Sequence, residues 1–295
     1  MNYGVTTRRR ESGFITSSHL LRKAGASGLL RRNEPPPAGA ASPANRPRRH
    51  RAILAFALLL GGISLPVQGA PLNDTGIVTC SDNSTNGLPC PQTGFPGQDA
   101  EYGRDAAAQA GTLAKIGGGR AGFDFTKLGP GGNELSASAT SWSCVRDNVT
   151  GLIWEIKTDD GGLRDKDNTY TWYNPDSSSN GGYAGAQNGG SCTGGISCDT
   201  YGYAQAVNSQ GLCGHNDWRL PWLEELRSIV DYNIPYPGPT IDTNYFPNTV
   251  NYAFWSASSY ASYSGSAWRV HFNYGDDFAG HKVNDDRVRL VRGGQ

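Results

Sequence analysis

All six cysteines of this 295-residue chain lie at 80, 90, 144, 192, 198 and 213, downstream of a charge-free apolar stretch, 52–69. An even set of thiols beyond a short apolar segment reads as a disulfide framework made in an oxidising compartment. Crosslinks decide which distant segments can meet, so they constrain the fold more than any other feature. Locality favours Cys80–Cys90 and Cys192–Cys198, which leaves Cys144–Cys213 to join two remote segments. A zinc site does not fit. The chain has no C-x-x-C, and His215, His271 and His281 are scattered.

Charge separates the same regions. Residues 1–51 hold eleven Lys/Arg against two Asp/Glu, whereas 70–295 hold fifteen against twenty-four. The formal net charge of zero is therefore a basic leader joined to an acidic body, which excludes a strongly basic nucleic-acid binder. Arg46-Pro47-Arg48-Arg49-His50-Arg51, the apolar run 52–65 and the small residues near Gly69 read as a secretory signal. A membrane-spanning helix needs about 20 apolar residues, so no stable span is expected once the signal is removed. A short membrane anchor is the alternative. Residues 1–69 are thus a basic extension and signal peptide. Residues 70–140 read as a Gly/Ala-rich, partly ordered spacer, and 141–295 as the ligand-binding domain of an exported protein. Its destination is the periplasm, the cell surface or the medium.

All seven Trp and twelve of the fourteen Tyr fall between 142 and 274. Short strands are predicted at 144–147 and 152–155 around the turn Asn148-Val149-Thr150-Gly151, then at 170–173, 217–221, 254–258, 267–272 and 288–292. Asp199 is placed to cap a helix over 200–209, with Gly211 just past its end. Pro221 opens a second helix over 222–231, with Leu223, Leu226 and Val230 on one face. Two short helices among many short strands and long loops predict an irregular, disulfide-containing α+β domain.

Ordered motifs then carry a likeness. They are Asp147-x-x-Thr150-Gly151-Leu152-x-Trp154, Gly214-x-x-Asp217-Trp218-Arg219-Leu220-Pro221 with Glu225-Leu226, Ile241-Asp242-x-x-Tyr245-Phe246-Pro247, Phe254-Trp255-Ser256, Ala267-Trp268 and Val288-Arg289-x-Val291-Arg292. Over 142–293 the chain resembles the secreted bacterial domain family typified by the C-terminal domain of the Legionella collagen-like adhesin. The resemblance implies a C-type-lectin-like fold with small antiparallel sheets, related to that of formylglycine-generating enzymes. It also implies a surface binding role, with glycan recognition in the adhesin branch. Trp222 departs from the Thr or Ser expected as the second helix cap, and is a candidate surface aromatic. Residues 259–286 additionally resemble the variable region of proteins diversified by retroelements. Apart from Trp268 and Lys282, each residue there is reachable from an Asn codon by changing adenines alone.

Tyr, Ser, Gly and Asn make adaptable contact surfaces at low entropic cost. Tyr260, Tyr263, His271, Asn273, Tyr274, Asp276, Phe278, His281, Asn284 and Asp286 are therefore the candidate ligand residues. Arg269 joins them as a forked donor for carboxylate or sulfate. Trp154, Trp218, Trp255 and Trp268 read as core. The target is a surface glycan or a protein, and an oligomer is compatible with the sequence. No cofactor is required. Asp159, Asp160, Asp165 and Asp167 form an acidic loop of the kind that can hold calcium, although a solvated turn is the plainer reading. An enzyme on the same fold is the rival class. The chain has no Cys after Cys213, and His215 with Asp217 lacks a nucleophile, so no catalytic residue is assigned.

Overall fold

The strands are short, only two to seven residues long, and are separated by turns rich in glycine and Asx residues. A computed structural model describes residues 72–293. The expected leader and signal, 1–69, lie outside the described residues. The strands are β1 Phe125–Leu128, β2 Cys144–Asp147, β3 Ile153–Glu155, β4 Tyr170–Thr171, β5 Ala253–Ser259, β6 Ser266–His271, β7 Asp276–His281, β8 Asp285–Asp286 and β9 Val291–Arg292. They form sheets ordered β1-β2-β3-β9, β4-β8 and β5-β6-β7, with every strand pair antiparallel. The helices are α1 Gly103–Gln109, α2 Thr200–Gln210 and α3 Leu223–Arg227. The architecture is α+β, rich in loops.

Local chemistry explains the elements that matter. The buried Asp147 carboxylate accepts from the Val149 and Thr150 N–H groups and the Thr150 hydroxyl. Gly151 takes the left-handed conformation, φ +76°. Together these close the β2–β3 hairpin. Asp199 accepts from the Gly202 N–H to start α2, and Gly211 ends it at φ +64°. The disulfides are Cys80–Cys90, Cys144–Cys213 and Cys192–Cys198, which is the pairing that locality favoured. The second of them pins β2 to the turn after α2.

Two expectations change. The stretch 70–140, expected as a partly ordered spacer, supplies α1 and β1, and Phe123 and Phe125 enter the main core beside Trp154. The Thr75 carbonyl accepts from the Tyr232 N–H at 2.9 Å, and Asn73 donates to Asp147 and to the Ser228 carbonyl. Its Phe-x-Phe signal was too short to reveal a partner strand nearly twenty residues downstream. The second helix stops at Arg227 instead of 231, because the next turn buries Ile229 and Val230 as a bend. Residues 217–221 form a single bridge, Arg219 to Val291.

Trp154, Trp218 and Trp255 are buried, and Trp268 is packed against the core from a half-buried position. Between the sheets lies a polar knot. Glu155, fully buried, accepts from Lys157 at 3.2 Å, from the Tyr203 hydroxyl, and from the Leu290 N–H at 2.9 Å. Arg289 donates to the Glu155 carbonyl and to Thr249. Burial pulls Lys157 down to about 8 and Arg289 down to about 10.

Candidate ligand-binding surface

The register of β5, β6 and β7 decides how the candidate residues are shared out. Cross-strand partners share a face, so Arg269 and Phe278 lie on one side with His271 and Asp276, while Ser266 and His281 lie on the other with Trp268. A strand rises about 3.4 Å per residue, so the two ends of β6 stand roughly 17 Å apart. The expected single surface resolves into two patches, one at each end.

The first patch surrounds the β6–β7 turn. Tyr236 stacks on Tyr274 with ring centroids 5.1 Å apart and planes 5° from parallel. Tyr274 meets His271 at 5.2 Å, and His271 in turn meets Tyr252 at 5.8 Å and Phe278 at 6.1 Å. Tyr236, Tyr252 and Tyr274 are 64%, 48% and 57% exposed, so this array faces solvent. His271 Nδ1 accepts from the Asn273 N–H at 3.1 Å, which leaves its proton on Nε2. Burial holds the imidazole below its usual pKa of 6.5, so it is neutral at pH 7. Gly275, at φ +79°, shapes the turn. The Gly238 N–H donates to the Asn273 carbonyl at 3.2 Å. A Cβ on Gly238 would fall 2.3 Å from the Phe272 carbonyl oxygen, so only glycine lets the 236–239 segment approach. Asp276 is exposed beside this array.

The second patch is at the far end. Tyr263 meets His281 edge to face at 5.8 Å above a shallow depression of about 420 Å³ that includes Tyr183 and Val283. Tyr260 packs edge to face on Trp268 at 5.2 Å. Asn284 is exposed in the turn after β7. Trp222 belongs to neither patch. It lies 42% exposed at the start of α3, on the edge of a cleft of about 300 Å³ against α2.

Arg269 and Asp286 have a different role from the one expected. They form an ion pair with each other, Asp286 is buried, and the guanidinium lies 4.4 Å from the Phe278 ring centroid. A guanidinium committed to an internal carboxylate is not a free donor for ligand sulfate. The acidic loop also fails to converge. Asp165 is buried, which raises its pKa, but N–H groups of Asp167, Gly161 and Asp160 outweigh that and hold it below the usual range. Lys166 lies between Asp159 and Asp167 at 3.1 and 2.6 Å, and Asp160 accepts from the Thr158 hydroxyl. Among the described residues, the carboxylates close enough to share a cation are Asp74, Asp99 and Asp105.

Sequence reasoning missed Tyr236 and Tyr252. Both lie upstream of 259–286, and only the fold brings them to the β6–β7 turn. The Tyr-Pro-Gly-Pro run at 236–239, an aromatic on a rigid turn, was the available signal. Residues 143–292, half of the chain, match the family model described as the Lcl C-terminal domain. The chain belongs to that family. No curated protein and no solved structure matches it. The residues that carry the Lcl C-terminal domain likeness are mostly scaffold: Asp147 closes a hairpin, Arg219 pairs bidentately with Glu225 at 2.7 Å, and Asp242 accepts from the Arg120 N–H. Among the described residues, no helix is long and apolar enough to cross a membrane.

Proposed function

We propose that this Lcl C-terminal domain protein is an exported, adhesin-like binder. Its surface ligand, a glycan or a protein, engages the aromatic array at the β6–β7 turn. The observation that carries the reading is the set of three exposed tyrosines held in fixed geometry around a neutral His271. Ordered amphipathic rings offer large contact area with little entropy left to lose. Aromatic anchors of this kind dominate binding energy.

The same reading assigns no catalytic role. All six cysteines are in disulfides, which leaves cysteine chemistry of the formylglycine-generating kind without a thiol. The Asp217 carboxylate is held by Arg292 at 2.7 Å instead of serving His215.

The test is binding of the full chain to a glycan array and to immobilised extracellular-matrix proteins. Tyr236→Ala and Tyr274→Ala should each weaken binding about tenfold, as for loss of an aromatic anchor, with Tm unchanged. Competition by soluble saccharide separates a glycan ligand from a protein one. Unchanged binding by both variants overturns the assignment.

A second observation favours sequence diversification at 259–286. Lys282, which departs from the adenine pattern, is fully buried, donates to the Asn180 and Tyr183 carbonyls and lies 4.1 Å from the Trp172 ring centroid. Trp268, the other departure, is packed on the core. The two residues outside the pattern are thus scaffold positions, while Tyr263, Tyr274, His281 and Asn284, which fit it, face solvent; Ala267, Val270, Phe272 and Asp286 also fit it and are buried. A near-identical DNA repeat differing at adenines would support this reading, and its absence beside the gene would sink it.

A further inference from the structure

The cleft between α2 and residues 218–222 has a chemistry of its own. Its volume is about 300 Å³, at the small end of ligand cavities, which span about 300–1,000 Å³. Trp172 and Trp218 form its floor, and both are buried. Their indole N–H groups are already committed, to the Ser256 carbonyl at 2.9 Å and the Leu212 carbonyl at 3.0 Å. The floor is therefore apolar in effect. The rim is not. The hydroxyls of Tyr173 and Tyr201, the Gln205 carboxamide and the Trp222 indole N–H make no hydrogen bond to another described residue. The one charged lining residue, Arg219, is consumed by Glu225 and by the Leu220 and Gly293 carbonyls.

Nothing in the fold asks for an indole at 222. A helix start favours Ser, Thr, Asp or Asn, and a tryptophan side chain has no acceptor to offer. Other groups do the capping. Ser258 Oγ on β5 accepts from the Leu223 N–H at 3.0 Å, and Glu225 accepts from the Trp222 N–H at 2.7 Å. Released from that duty, the Trp222 ring stands exposed beside the cleft, with Tyr201 44% exposed.

We infer that this cleft is a binding site for one uncharged sugar ring, distinct from the tyrosine array. The apolar floor and aromatic walls suit the C–H face of a pyranose. The uncommitted neutral donors and acceptors on the rim suit its hydroxyls. The absence of free charge among the lining residues gives an anionic or cationic ligand no partner to replace its lost hydration. The cavity size limits the occupant to about one ring.

The test is a titration of the full, disulfide-intact chain, labelled with nitrogen-15, with methyl glycosides of glucose, galactose, mannose, fucose and N-acetylglucosamine. At least one should shift the Trp222 indole N–H resonance saturably. Trp222→Ala, Tyr201→Ala and Gln205→Ala should each weaken that binding, by about tenfold for the aromatic residues. Tyr236→Ala and Tyr274→Ala should leave it unchanged. Gln205 is exposed on α2, so its variant keeps the test valid if Trp222→Ala fails to fold. The inference is overturned if no neutral glycoside shifts the resonance. It is equally overturned if only a charged sugar or a short peptide does, or if binding survives both Trp222→Ala and Gln205→Ala. Failure here leaves the tyrosine array untouched, because that site is read from different variants.

Discussion

Glu155 shows how much a single side chain organises. It offers one carboxylate to Lys157, to Tyr203 and to the backbone that leads into β9, while Arg289 closes on its carbonyl. Two buried cations depend on that one anion. Glu155→Gln should therefore lower unfolding free energy by about 3–5 kcal/mol, the cost of leaving a buried charge uncompensated, read from urea denaturation at pH 7. A change below about 1 kcal/mol would show the cations are neutralised by other means. Arg269 teaches the complementary lesson. Its forked donor group was legible in the sequence, but its partner was not, because Asp286 lies 17 residues away in β8, which pairs with β4 and not with the β5-β6-β7 sheet that carries Arg269. A side chain's chemical type is local information; whether it is free is not.

At the level of elements, boundary chemistry was legible wherever it was local. Asp199 and Gly211 bracket α2 as their residue types imply, and Gly151 and Asp147 close their hairpin. The second helix was legible as to its start but not its cap, since Ser258 reaches it from a strand thirty-five positions away. That device makes a paired prediction. Ser258→Ala should cost about 1 kcal/mol, whereas Trp222→Ser, which restores a local cap, should leave Tm unchanged or raise it. Thermal unfolding of both variants checks it, and a large loss from Trp222→Ser would mean that the indole is a packing residue. Strand β7 was hidden for a different reason. Its Asp276-Asp277 start and its Gly280 read as loop, and an edge strand paired on one side needs no alternating apolar face. The two ends of β6 were likewise invisible as separate places, so one expected surface became two.

Over the whole molecule, the sheets are assembled from pieces remote in sequence. The main sheet joins β1 from the stretch before 141 to β9 near 292, and Cys144–Cys213 spans 69 positions to hold β2 against the end of α2. Replacing both of those cysteines with alanine should lower unfolding free energy by about 2–5 kcal/mol, while removing Cys192–Cys198, which closes a short loop, should cost less. Denaturant titrations of the two double variants compare them directly; an equal loss would contradict the loop-length argument. The α+β class and the crosslinks were readable because motifs and cysteine spacing survive without three-dimensional context. The membership of 70–140 in the core was not, because its glycine-rich punctuation concealed which residues were to be buried.

The position of β9 also sets a timetable. Trp154 meets Val291 across the sheet, and Arg219 bridges to the same residue. A ribosome must therefore release the chain past residue 292 before the core can close. Until then the aromatic residues of β3 and β5 have no complete partner surface, so the core cannot close on the earlier strands alone.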